Sequence, residues 1–361
     1  MRKTIVYILI LFLFLSKCDY STKNNEKDKR VHPTEYEWTI DTLDVDVRVT
    51  TFRPTDFLYI NENDIYIFGE NSHYNDVYFH YDGKEWRDTC VIYGTRDINS
   101  VMNISDKIYG AGKTSWYLPE YADFQGGVAF YNGKQWKQIF YASAEGKRVS
   151  YFLDIWGDSE DNIWVGGVFG NFGLLYHYNG QEWKNYCLPD TAWLKSFSGT
   201  SSDDLYACGY YWESGGVILN GYFFKWTGEE WKIEDQFREN VNNEEHYPFG
   251  YRDIYVSEDY IYSCGRGFYR KKRGEKEWEK FELNLGAGFF DISGSSSDNV
   301  YVVGDNGRIN YWDGDQLYTS GEICPGHPFG TYKKVWTDGE QVFIIGQDDG
   351  DYDRVYVLHG K

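Results

Sequence analysis

The chain has 361 residues, of which 42% are hydrophobic and 20% aromatic, enough apolar material for a large core and too much for a disordered polymer. Its 56 acidic against 36 basic residues give a net charge of −20, which excludes a general binder of nucleic-acid backbone, because counterion release needs a basic face. A mean hydropathy of −0.61 excludes a multispan membrane protein, while 38 Gly, 7 Pro and a wealth of β-favouring aromatics point to an all-β fold.

The chain starts with Arg2 and Lys3, followed by the apolar run Ile5 to Leu15 and then Ser16, Lys17 and Cys18. Such a run is too short to cross a bilayer as a helix but suits the core of a signal peptide. Leu15-Ser16-Lys17-Cys18 resembles the bacterial lipobox, with Lys17 where a small residue is usual. That resemblance implies a signal peptide over residues 1–17 and a lipid-modified Cys18; a plain secretory signal cut nearby is the alternative. Residues 18–34, polar and rich in Lys and Asn, read as a flexible tether. Loss of Arg2, Lys3 and Lys17 would take the charge from −20 to −23, so attachment to a membrane would depend on lipid rather than on electrostatics. The expectation is an exported protein anchored at the outer membrane or cell surface.

From residue 35 to 361 the chain repeats. A turn motif occurs as Tyr81-Asp82-Gly83-Lys84-Glu85-Trp86, Tyr131-Asn132-Gly133-Lys134-Gln135-Trp136, Tyr178-Asn179-Gly180-Gln181-Glu182-Trp183 and Trp226-Thr227-Gly228-Glu229-Glu230-Trp231. It returns in weaker form around Gly274 and Trp278 and at Trp312-Asp313-Gly314, and the Trp spacings from 86 to 278 are 50, 47, 48 and 47. Asn-Gly and Asp-Gly between aromatic runs signal hairpins, for which type I′ turns are expected. Upstream stands a second column of seven apolar–aromatic pairs: Ile65-Tyr66, Ile108-Tyr109, Ile163-Trp164, Leu205-Tyr206, Ile261-Tyr262, Val300-Tyr301 and Val342-Phe343. Each pair is followed by a glycine three residues after its aromatic, and each is preceded by a turn and a further short strand. Four strands in about 40–50 residues is one propeller blade.

The seventh unit ends at Lys361 one strand short, and the unmatched piece Tyr36 to Leu43 looks like that strand, with Trp38 one repeat length before Trp86. The sequence therefore predicts an all-β, seven-bladed β-propeller of four-stranded blades, closed by the N-terminal strand pairing with the last blade. The runner-up is six blades plus an irregular piece. The pattern from Asp154 to Trp183 resembles propeller repeats common in exported bacterial lipoproteins. That resemblance implies extracytoplasmic binding or scaffolding and brings no catalytic residue with it.

The regular aromatics read as packing between blades. Rings that break the repeat should lie on loops of one face: Trp116, Tyr117 and Tyr121 with Phe124, then Tyr210, Tyr211 and Trp212, then Tyr247 and Phe249, and Phe329. All but Phe124 and Phe329 form the candidate ligand-binding set, for a glycan or a protein; the alternative is that the loops fold back and bury them. Cys90, Cys187, Cys208 and Cys264 read as small buried fillers, with a Cys208–Cys264 disulfide as a minor alternative; Cys324 makes the count after Cys18 odd. No ligand spacing supports a metal site at His73, His246 and His327, and the acidic run Asp348 to Asp353 lacks EF-hand spacing. His80 and His177 share one repeat column and read as structural. No cofactor is called for.

Asp154, Ser196, Asp253, Asp291 and Lys334 form a partial polar column on the innermost strands. Such carboxylates would be the acid and base of a polysaccharide lyase or glycosidase, or would cap backbone donors around the ring axis. The capping reading, and with it binding rather than catalysis, is preferred; the rival is a propeller-fold polysaccharide lyase or glycosidase using carboxylates or His of the loop face or the channel.

Overall fold

The structure is a computed structural model that describes residues 31–44, 52–71, 76–90, 97–113, 126–142, 150–188, 190–240, 247–283, 288–348 and 354–361. Seven four-stranded antiparallel sheets follow one another in chain order, and their innermost strands pack side by side around an axis. These innermost strands are Phe52–Asn61, Asp97–Ile104, Ser150–Ser159, Trp193–Ser201, Asp253–Val256, Phe289–Ser296 and Thr331–Thr337 in blades 1 to 7. The last packs against the first, so the ring is closed.

Blade 7 is made from both ends of the described chain. Strands Thr331–Thr337, Val342–Gln347 and Arg354–Gly360 are completed by Trp38–Asp44, which pairs with Arg354–Gly360 from Trp38 opposite Gly360 to Asp44 opposite Arg354. This is the expected closure, and it covers an edge that would otherwise present unpaired backbone groups.

Hydrophobic clusters lie between consecutive blades, as a propeller requires: one joins Phe57, Ile67 and Phe79 of blade 1 to Phe343, Ile345 and Val357 of blade 7. The apolar–aromatic column supplies much of this core, with Trp164, Tyr262 and Tyr301 almost without exposed surface. His80, His177 and His359 stack on Tyr66, Trp164 and Phe343 of the same column, 4.3, 4.2 and 4.0 Å between ring centres. Each also hydrogen-bonds a side chain near the adjoining hairpin, namely Asp64, Asn162 and Gln341, and that accounts for the first two as structural residues.

The repeated turns are hairpins, but not of type I′. Tyr81 pairs with Trp86, leaving four residues in the loop, and only the glycine has positive φ, 85° at Gly83 and 86° at Gly180. The preceding side chain closes the turn: the Asp82 carboxylate accepts from the amides of Lys84 (3.1 Å) and Glu85 (3.2 Å), and Asn132 and Asn179 act in the same way.

Candidate functional site

Six of the seven innermost strands carry a β-bulge near their start. Pairing with the second strand jumps from Pro54 to Asp56, from Ile98 to Ser100, from Phe152 to Asp154, from Leu194 to Ser196, from Phe289 to Asp291 and from Tyr332 to Lys334. In each case one residue is left unpaired. A bulge re-aims side chains, and here the unpaired residues of all six blades, Thr55, Asn99, Leu153, Lys195, Phe290 and Lys333, line a single cavity at the channel mouth. Arg252, immediately before Asp253, takes the same place in blade 5. The cavity measures about 270 Å³ and has Asp154, Ser196, Asp253, Asp291 and Lys334 among its deeper walls.

Those deeper residues, with Asp56 and Ser100, form a ring that links every blade to the next. Asp56 accepts from the Val101 amide (2.6 Å), and Ser100 donates to Asp154 (2.6 Å). Asp154 accepts from the Phe197 amide (2.6 Å), the Ser196 hydroxyl bonds Asp253, and Asp253 accepts from the Ile292 amide (2.9 Å). Asp291 accepts from the Val335 amide (2.8 Å) and from Lys334 (2.9 Å), whose ammonium also lies 3.3 Å from Asp56 and so closes the circuit. Sequence reasoning found five of these seven positions and missed Asp56 and Ser100.

Burial sets the charge balance of the ring. It raises the carboxyl of Asp154 to about 6 and that of Asp291 to about 7, against the lowering effects of Lys334 and the backbone donors. Asp56 and Asp253 are raised for the same reason. Burial also opposes the Lys334 charge, but Asp291, Asp56 and Asp253 outweigh it and hold that ammonium well above the ordinary lysine value.

The outer layer of the cavity has a different character. Lys195, Arg252 and Lys333 approach it from blades 4, 5 and 7, and Phe290 of blade 6 sits between two of them. The Arg252 guanidinium lies 4.6 Å and the Lys333 ammonium 4.0 Å from the centre of the Phe290 ring. Among the described residues no carboxylate pairs with Lys195 or Arg252, and the buried Nη1 of Arg252 has no hydrogen-bond acceptor. Burial, followed by the charges of Arg252 and Lys334, lowers the pKa of Lys195.

The mouth opens on the face where the innermost strands begin, which is the face expected to carry the variable loops. The aromatics proposed for that face fare unevenly. Trp116, Tyr117, Tyr121 and Phe124 lie outside the described residues. Tyr210, Tyr211 and Trp212 belong to the long strand Asp204–Glu213 rather than to a loop, and all three are half-buried. Tyr247 and Phe249 correct the expectation of exposed rings: they are 2% and 1% exposed. The cause is the outermost strand Trp231–Asn240, whose Phe237 packs edge-on against both, with Trp278 stacked on Phe249. Phe329 is 67% exposed.

Cys187 is exposed, against the expectation of a buried filler, while Cys208, Cys264 and Cys324 are buried free thiols, so the first two are not bridged. The side chain of Cys90 lies outside the described residues, as do Cys18, His73, His246 and residues 349–353. His327 is placed, with Nδ1 2.8 Å from the Tyr332 hydroxyl. Among the described residues no group of three metal-ligating side chains converges, and no helix is long and apolar enough to cross a membrane.

No family model matches the chain, and no curated protein sequence matches it. Solved structures do. YCF48 bound to D1 peptide superposes with a TM-score of 0.58 at 14% identity, over 89% of this chain and 94% of that one. The WD40 β-propeller domain of Doa1 gives 0.56 at 11%, over 89% and 96%. An extracellular domain assigned to a hybrid two-component system of B. thetaiotaomicron gives 0.58 at 13%, over 89% of this chain but 40% of that one. At these identities the likeness is one of fold: this chain is similar to β-propellers of otherwise different kinds.

Proposed function

We propose that the chain is a non-catalytic β-propeller that binds a protein partner on its channel-mouth face, outside the cytoplasm, held to a membrane by lipid on Cys18. One observation carries the binding reading. Asp56, Asp154, Asp253 and Asp291, the carboxylates that an enzyme would use, each accept a backbone N–H from the next blade, whereas among the described residues no carboxylate pairs with Lys195 or Arg252 at the mouth above them. A general acid or base needs an oxygen free to exchange a proton with substrate; here those oxygens hold the ring together. The fold neighbour bound to D1 peptide supports a peptide or protein as ligand rather than a glycan.

Site-directed photocrosslinking tests the assignment of face. A photoreactive residue in place of exposed Phe329, on the loop entering blade 7, should yield a protein adduct in the native membrane. The same residue in place of exposed Glu340, in the hairpin at the far end of that innermost strand, should not. Adducts from position 340 alone would place the interface on the opposite face. Retention of a labelled glycan panel with no protein adduct from either position would favour glycan binding. The anchor is tested separately: Cys18→Ala should leave the membrane fraction with an unchanged melting temperature, and a variant that still floats with membranes overturns the lipid reading.

A further inference from the structure

We propose that the channel mouth is a receptor for one carboxylate group, presented by a peptide that carries no other negative charge near it. The inference deepens the protein-binding reading above and rests on it. Three cations, Lys195, Arg252 and Lys333, converge on a cavity of about 270 Å³ from three blades, in a chain whose net charge is −20. The ring acids beneath them do not explain the convergence. Each of the four carboxylates already accepts a backbone amide from the next blade, and the cation that pairs with two of them is Lys334, from the deeper layer. At Lys195 burial, joined by the neighbouring charges of Arg252 and Lys334, disfavours the ammonium, and a carboxylate placed in the mouth would relieve that penalty. A planar guanidinium with an unoccupied buried Nη1, beside two ammonium groups, provides the donors a carboxylate accepts.

Geometry and charge together restrict what can bring the carboxylate. The net charge of −20 opposes the approach of a polyanion, because charges on the ligand beyond the three cations of the mouth find no counterpart there and meet the field of an acidic molecule. A nucleic acid or polyuronate is therefore disfavoured, and a single acid group on an otherwise neutral chain is favoured. The Phe290 ring, together with Pro54 and Leu153, gives the apolar part of such a peptide a surface to cover. An acidic side chain and a C-terminal carboxylate offer the same chemistry.

Fluorescence anisotropy with the full chain in detergent micelles separates these sources. Three labelled hexapeptides of Ala, Gly and Ser would serve as probes: one amidated with a single internal Glu, one with a free C-terminal carboxylate, and one amidated with no acid group. At least one acidic probe should bind about tenfold or more tighter than the neutral one, and the preference should shrink as salt is raised. The tighter of the two identifies the source. In the triple variant Lys195→Gln, Arg252→Gln, Lys333→Gln the preference should vanish. Leu153→Glu, which adds a negative charge to the mouth and removes no donor, should abolish it independently should the triple variant fold poorly. Equal binding of all three probes, a preference that survives in a folded triple variant, or tighter binding of hexagalacturonate than of either acidic peptide would each overturn the proposal. A crosslink from position 329 that persists in the triple variant would leave the protein-binding reading standing while the carboxylate inference falls.

Discussion

Two columns of side chains line the channel, and they are neighbours in sequence. The deeper one reads Asp56, Ser100, Asp154, Ser196, Asp253, Asp291 and Lys334; the outer one reads Thr55, Asn99, Leu153, Lys195, Arg252, Phe290 and Lys333. In a regular strand consecutive residues point to opposite faces, so the two columns could not share a cavity. The bulge permits it. The deeper column draws on a narrow set of residue types, because each must meet a neighbouring blade. The outer column is free of sheet pairing and ranges from leucine to arginine. Thr55 and Asn99 still bond the next blade's carbonyls, at 2.6 Å each, so the first two blades spend even this position on cohesion. Blades 4, 5 and 7 place charge there instead. One backbone irregularity thus yields a layer that holds the propeller together and a layer that is chemically open.

The contrast can be broken most forcefully at Lys334. Lys334→Ala strips Asp56 and Asp291 of their shared cation, and removing one partner of a buried ion pair costs about 3–5 kcal/mol. Denaturant unfolding should show a loss of that order; a loss below about 1 kcal/mol would mean that the circuit is not structural.

A smaller effect is expected from pH. The folded pKa of Asp291, about 7, stands above its ordinary value of 3.8. The native state therefore holds a proton that the unfolded state releases between those values, and the stability linked to this group is lost as pH rises through about 7. The wild type should accordingly lose stability relative to Asp291→Asn between about pH 5 and about pH 8, by about 2 kcal/mol. A pH-independent difference between the two proteins would show that Asp291 is not held protonated by burial.

The smallest effect belongs to the outer column. Substituting Gln for Lys195, Arg252 and Lys333 together should change stability by less than about 1 kcal/mol, since these side chains are half-buried and take no part in the inter-blade circuit. If thermal melting shows this triple variant to be as damaged as Lys334→Ala, the two columns are one structural unit and the distinction drawn between them fails.

The propeller was legible in the sequence because its signals repeat: the Gly-containing turns and the apolar–aromatic pairs recur in the same order once per blade, and the end pieces complement each other, so many weak signals add. The deeper column was partly legible. Phe152-Leu153-Asp154-Ile155 and Phe289-Phe290-Asp291-Ile292 are plainly alike, whereas Pro54-Thr55-Asp56-Phe57 and Ile98-Asn99-Ser100-Val101 share only the order apolar, variable, polar, apolar. That order, counted back from the glycine column, would have found them. The outer column could not be read, because strict alternation sends Lys195 and Lys333 to the far face and nothing local announces a bulge. Tyr247 and Phe249 misled for a different reason: whether a loop ring is covered depends on how far the preceding hairpin extends, here Ile218–Trp226 with Trp231–Asn240, which offers them Phe237.

The pairing of Trp38–Asp44 with Arg354–Gly360 also bears on how the molecule is made. Synthesis is vectorial, and the first strand of the ring to emerge has to wait, unpaired, until almost the last residue of its partner has been produced. Blades 1 to 6 can each assemble from one continuous stretch of chain; blade 7 cannot begin its outer half until residue 354 onward is available. The slow, long-range step of folding therefore waits until the last strand of blade 7 has been synthesised. Until that moment the nascent protein is an open arc with adhesive flanks, a vulnerable form in which chaperone capture or rapid release matters most.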